Sequence, residues 1–235
     1  LNAGRTVIWR DSRTSWRGPR PAAVAQHPGQ ATAASDWAIQ LVYAKTAVAI
    51  QGRIIWVPRP DPYPWIALTV ALGAAVVVAG TTRRWGPLLA TALAVVVATD
   101  AVRSYATAVV SGGPGWAVLL RTSLAGGLGI VSWVLGALGV GRLQQERESG
   151  ALLALFVGLY IAIFSGLTDL PYFLHSQIPV AASPSLGRIG VAIATGGGLG
   201  LAIAGIVRIR RFGDQAATQA AQAPRAGAAG QPVSG

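Results

Sequence analysis

The chain has no cysteine and no methionine, and Lys45 is its only lysine. Without cysteine there is no disulfide framework, no thiolate metal site and no cysteine nucleophile. Acidic residues are scarce: Asp and Glu number 8 in 235 residues. Charged residues of both signs reach only 11%, against about 25% in an average soluble domain. Histidine occurs only as His27 and His175, on either side of the first apolar segment. No G-x-S-x-G, H-E-x-x-H or P-loop pattern is present. These absences exclude an ordinary soluble enzyme. No catalytic residue, metal ligand set or cofactor is expected. Leu1 is not an initiator, so the chain reads as a mature product or a fragment, with any signal peptide upstream.

Apolar residues are abundant instead, at 52%, with 30 glycines and a mean hydropathy of +0.50. A chain this apolar reads as an integral membrane protein, in which helices or a closed barrel must satisfy the backbone. The net charge of +11 is almost all arginine. The arginines sit beside apolar segments rather than along one basic helix, so a positive-inside bias explains them and nucleic acid is not an expected partner. The lipid bilayer is, with another envelope protein or a second copy as further candidates.

Residues 1 to 56 read as a β-domain. Trp37, Ile39, Leu41 and Tyr43 alternate, as do Val48, Ile50, Ile54 and Trp56, with Gly52 among them. Ala44 to Thr46 can turn the chain, which predicts a β-hairpin. Thr6 to Trp9 suggests another short strand, and Gly18 to Ala34 a loop. So few strands bury too little surface to stand alone. The expectation is the C-terminal part of a truncated, extracytoplasmic β-sandwich-like domain. Residues 57 to 64 carry alternate prolines and read as a stiff stalk flanked by Trp56, Tyr63 and Trp65.

Residues 65 to 211 predict a bundle of five transmembrane helices. Its segments run from about Trp65 to Thr82, Pro87 to Val110, Trp116 to Val140, Ala151 to Leu174 and Leu186 to Val207, each near the roughly 20 residues a bilayer requires. Arg83, Arg84, Arg142, Arg147, Arg208, Arg210 and Arg211 follow the odd segments, and no arginine lies in 111–115 or 175–184. This predicts a bacterial cell-membrane protein with the β-domain outside and the C-terminus cytoplasmic. Residues 212 to 235, rich in Ala, Gln and Gly, read as a disordered tail.

Six ionisable or polar groups form a candidate intramembrane cluster: Asp100, Arg103, Arg121, Asp169, His175 and Arg188. Asp100 and Arg103 share a helix face and can pair, and Arg121 is a second candidate partner. Such groups lock helices together or mark an outward-facing site. Gly196, Gly200 and Ala204 form a small-residue row suited to close helix packing.

The run Trp9-Arg-Asp-Ser-Arg-Thr-Ser-Trp16, then Asp36-Trp37, Trp56-Val-Pro-Arg-Pro-Asp-Pro-Tyr-Pro-Trp65 and His175-Ser-Gln-Ile-Pro179, resembles an uncharacterised family of actinobacterial integral membrane proteins. The resemblance covers residues 1 to about 210. It implies an exported N-terminal β-domain, a Trp/Pro-rich stalk and about five membrane helices. That family shows W-H-D-H-R-x-H-W at the first motif, where histidines invite a copper or zinc hypothesis. Here Arg10, Ser12 and Ser15 stand at the histidine positions, so the ligands themselves are missing. The leading expectation is a non-enzymatic, membrane-anchored cell-envelope protein whose external β-domain binds a partner. The alternative is a transport or copper-handling component using the polar cluster.

Overall fold

In a computed structural model, residues 19, 21–43, 45–110, 113–124, 129–178, 181 and 183–222 are described. The expected strand at Thr6 to Trp9 and the W-R-D-S motif lie outside them. After a short helix α1 (Ala22–Gln26), strands β1 (Thr32–Tyr43) and β2 (Thr46–Trp56) form an antiparallel hairpin. Its register pairs Trp37 with Gly52, Ile39 with Ile50 and Leu41 with Val48, so the alternating apolar residues share one face. A bulge between Ala33 and Ser35 shifts the register. Lys45 turns the chain with φ of 68°. Gly52 lies under the Trp37 indole, where a side chain would overlap the ring. Asp36 and Arg53 face each other across the strands at 2.7 Å. That hydrogen bond, then the Asp36 charge, holds the exposed Arg53 guanidinium above its ordinary pKa. α1 rests on β1, with Val24 and Ile39 buried. The described β structure is this hairpin alone.

The rest is helical: α2 (Tyr63–Thr81), α3 (Trp85–Val110), α4 (Gly115–Leu124), α5 (Gly129–Gln144), α6 (Glu148–Ile161), α7 (Pro184–Ala192) and α8 (Gly198–Gln222). α6 widens into a π-helical turn at Ala162–Gly166 and tightens into a 3₁₀ stretch, Leu167–Phe173. Pro171 lies in that stretch and has no N–H to continue an α-helix. A second π-helical turn, Ile193–Gly197, joins α7 to α8 and packs against the first. Among the described residues, four helical runs are long and apolar enough to cross a membrane: Tyr63–Thr81, Trp85–Val110, Glu148–Phe173 and Pro184–Ala220.

The apolar run from Trp116 to Val140, expected as a single span, is described in two parts. Its described parts are α4 and α5, and residues 125–128 between them lie outside the described residues. The end of α5 returns to the start of α3, since a Cβ on Gly86 would stand 2.5 Å from the Leu143 carbonyl. The α4–α5 pair therefore carries the chain from one end of the bundle to the other. The tail differs from expectation: α8 continues through 212–222. Asp214-Gln-Ala-Ala-Thr-Gln-Ala-Ala-Gln222 is polar, but Ala and Gln are strong helix formers.

α8 and the π turn before it present small residues to two neighbours. Towards α2, Gly196 abuts the Thr69 carbonyl, Gly200 would place a Cβ 2.7 Å from the Gly73 carbonyl, and Ala204 meets Gly80. Towards α6, Gly198 faces Gly158 and Gly205 faces Ala151. Backbones this close exchange dispersion contacts that larger side chains would prevent. Leu89, Leu93, Leu143, Ile161 and Leu201 fill the core between.

Two arginines fasten the ends of the bundle. Arg208 donates to the carbonyls of Gly80 (2.5 Å) and Thr82 (2.7 Å) and stacks on Trp85 at 4.7 Å. Arg188 donates to the carbonyls of Tyr172 (3.0 Å) and His175 (2.7 Å) and lies over Trp65 at 5.9 Å. Each satisfies carbonyls that a helix end leaves open, and each places positive charge at the negative end of a helix dipole.

Candidate functional site

The polar cluster lies in the half of the bundle nearer the hairpin. Asp100 is about 22 Å along α3 from Trp85 at 1.5 Å per residue, and it is only 3% exposed. A carboxylate there needs hydrogen-bond donors in place of water. It has two. Trp133 on α5 donates its indole N–H to Oδ2 at 2.8 Å, and Ser165 donates its hydroxyl to Oδ1. The π turn that carries Ser165 is a wide turn of the kind often found at functional positions.

Arg103 does not form the ion pair expected with Asp100. Its guanidinium pairs with Asp169 and also donates to the Ser165 carbonyl at 3.1 Å. Three residues along a helix put Asp100 and Arg103 on one face, yet each reaches outward to the α6 run. Arg103 passes over Gly190 of α7, where a Cβ would overlap its Cδ. Ser165 thus joins the two halves, its hydroxyl on Asp100 and its carbonyl on Arg103. The result is a connected network across α3, α5 and the end of α6, in which fully partnered polar groups specify one packing.

The other expected members lie elsewhere. Arg121 is exposed on α4, its guanidinium near Gly113. His175 lies past the end of the 3₁₀ stretch, where Nδ1–H donates to the Pro171 carbonyl at 2.6 Å. Arg188 is buried, and it binds carbonyls rather than joining Asp100. The structure therefore brings together Asp100, Arg103 and Asp169. It separates Arg121, and it places His175 and Arg188 in a second group at the hairpin end. Gly196, Gly200 and Ala204 lie along the α2 contact.

Trp133 and Ser165 were missed as ligands of the carboxylate. A signal existed for Trp133, since a buried indole N–H needs an acceptor and acceptors are rare in this bundle. None existed for Ser165, because the π turn that aims it has no sequence period. Thr195, in the facing π turn, is buried, and its hydroxyl has no hydrogen-bond partner among the described residues. It is pressed against Gly166, whose Cβ would stand 2.5 Å from Oγ1. Among the described residues no three His, Asp or Glu side chains come close enough to hold a metal ion. The cluster can hold helices in register and keep a carboxylate away from water. No protein-family model matches the chain, and neither does any curated protein or solved structure.

Proposed function

We propose that the chain is a multi-pass cell-envelope protein that displays its β-domain outside the membrane as a binding module on a helical anchor. The observation that carries this reading is the hairpin surface. Leu41, Val42, Val48 and Ile55 are exposed there, on strands tied to the bundle by a proline-rich stalk. A short two-stranded unit has little core of its own, so apolar side chains left uncovered on it suit contact with another protein. The bundle acts as the anchor. Asp100 is sealed with both oxygens engaged, which favours a locking role over a water-filled transport pathway.

Five crossings fit the path of the chain, with the α4–α5 pair supplying the third. The arginine-rich ends then face the cytoplasm and the hairpin faces outward. The absence of cysteine makes this testable with single introduced thiols. Thr46→Cys at the hairpin tip should react with a membrane-impermeant maleimide on intact cells, and Gly213→Cys should react only after permeabilisation. The reverse pattern would overturn the orientation. A photo-crosslinker at Val42 should give a discrete adduct in cells, weakened by Leu41→Asp. If no adduct forms, the binding-module reading fails even where the orientation holds.

A further inference from the structure

At the foot of the hairpin a cavity of about 260 Å³ opens between the end of β2, the stalk and the segment after the 3₁₀ stretch. Ile54, Trp56 and Leu174 form an apolar wall, while Arg59, His175 and Gln177 contribute the polar groups. Among the described residues no carboxylate lines it. The nearest acid in sequence, Asp61, accepts the Tyr63 N–H at 3.0 Å at the start of α2. Arg59 is exposed and forms no ion pair among the described residues. Behind the cavity, Arg188 donates to the His175 carbonyl and forms no ion pair among the described residues.

Two cations that form no ion pair among the described residues, beside an apolar wall, point to an anion with an apolar arm. The position narrows the choice. The cavity lies just before Tyr63 and Trp65, where α2 begins, and aromatic residues of that kind mark the membrane–water boundary. We propose that this cavity binds the phosphate headgroup of an anionic phospholipid, with Arg59 as the primary contact. The guanidinium fork of Arg59 suits a phosphate diester. The Gln177 amide supplies a neutral donor. Trp56 and Leu174 cover the glycerol and the first methylenes of the chain. His175 is held in place by its Nδ1–H bond to Pro171 and forms the side of the cavity. Basic residues next to a membrane helix attract anionic lipid by about 1 kcal/mol each through charge alone; the cavity adds a fixed geometry to that attraction. The proposal requires the helices to be in a bilayer but holds for either orientation, so it can fail without the threading failing.

The test is lipid retention by the full chain purified in a neutral detergent and measured by native mass spectrometry. Phosphatidylglycerol should be retained at one equivalent in preference to phosphatidylcholine. Arg59→Gln should lower that retention about tenfold, the size expected when one hydrogen bond to a charged group is lost. Arg83→Gln, at the opposite end of the bundle, should leave it unchanged. Ala34→Phe keeps every charge but fills the cavity, and should lower retention as Arg59→Gln does. Equal retention of the two lipids overturns the proposal, as does undiminished retention in both Arg59→Gln and Ala34→Phe. Displacement of the lipid by millimolar inorganic phosphate would assign the site to free phosphate and overturn the lipid assignment.

Discussion

The indole N–H of Trp133 donates to the carboxylate of Asp100 at 2.8 Å, joining α5 to α3 inside the apolar core of the bundle. Removing the donor leaves one oxygen of a buried charge without its partner, which costs about 1–3 kcal/mol. Trp133→Phe should therefore lower the thermal midpoint in detergent. Asp100→Leu in the Trp133→Phe background should recover part of the loss, because removing both partners is cheaper than stranding one. A double variant less stable than either single one would contradict this account.

Arg103 and Asp169 should be the strongly coupled charges. In a double-mutant cycle of Arg103→Gln and Asp169→Asn, the coupling energy should be on the order of 1–3 kcal/mol, within the range for directly interacting residues. The cycle of Arg103→Gln with Asp100→Asn, connected only through Ser165, should give a smaller value. Equal couplings would mean that Asp100 and Arg103 interact directly.

Gly196 and Gly213 lie on one continuous helical run but should respond oppositely to alanine. A Cβ on Gly196 would meet the Thr69 carbonyl, a backbone atom that cannot rotate away. Gly196→Ala should release α2 and sharply lower folded yield. Nothing lies within 4 Å of a Cβ on Gly213. There the better helix propensity of alanine should leave stability unchanged or raise it by up to about 1 kcal/mol. Size-exclusion profiles of both variants would compare them directly.

Reporter fusions at Arg84 and Gln145 should report one compartment, and a fusion at Gly113 the other. If Gln145 reports the compartment of Gly113, the α4–α5 pair re-enters rather than crosses.

Much of this architecture is legible in particular residues. Trp37, Ile39 and Leu41 alternate because a strand has a period of two, and their partners across the hairpin do the same. The four membrane-length helices follow from unbroken apolar runs, and Gly196, Gly200 and Ala204 recur at helical spacing on one side of α8. The network around Asp100 is only half legible. Sequence spacing places Asp100 beside Arg103, but helix neighbours compete with partners on other helices, and Asp169 and Trp133 have the better reach. Which partner wins depends on two π turns and on the clearance over Gly190, and neither leaves a periodic trace.

The two tryptophan-stacked arginines on the last helical run set a thickness. Arg188 and Arg208 lie about 30 Å apart along it at 1.5 Å per residue, close to the depth of a hydrocarbon core. Because each is bonded to the carbonyls of a neighbouring helix end, neither can slide to follow a thicker or thinner bilayer. The usual accommodation by snorkelling is closed to this pair. A mismatch of a few ångströms must be met by tilting the bundle or deforming the lipid, at a fraction of a kcal/mol per ångström. Seated in a bilayer, the bundle should therefore show a maximum in stability across lipids of graded acyl length.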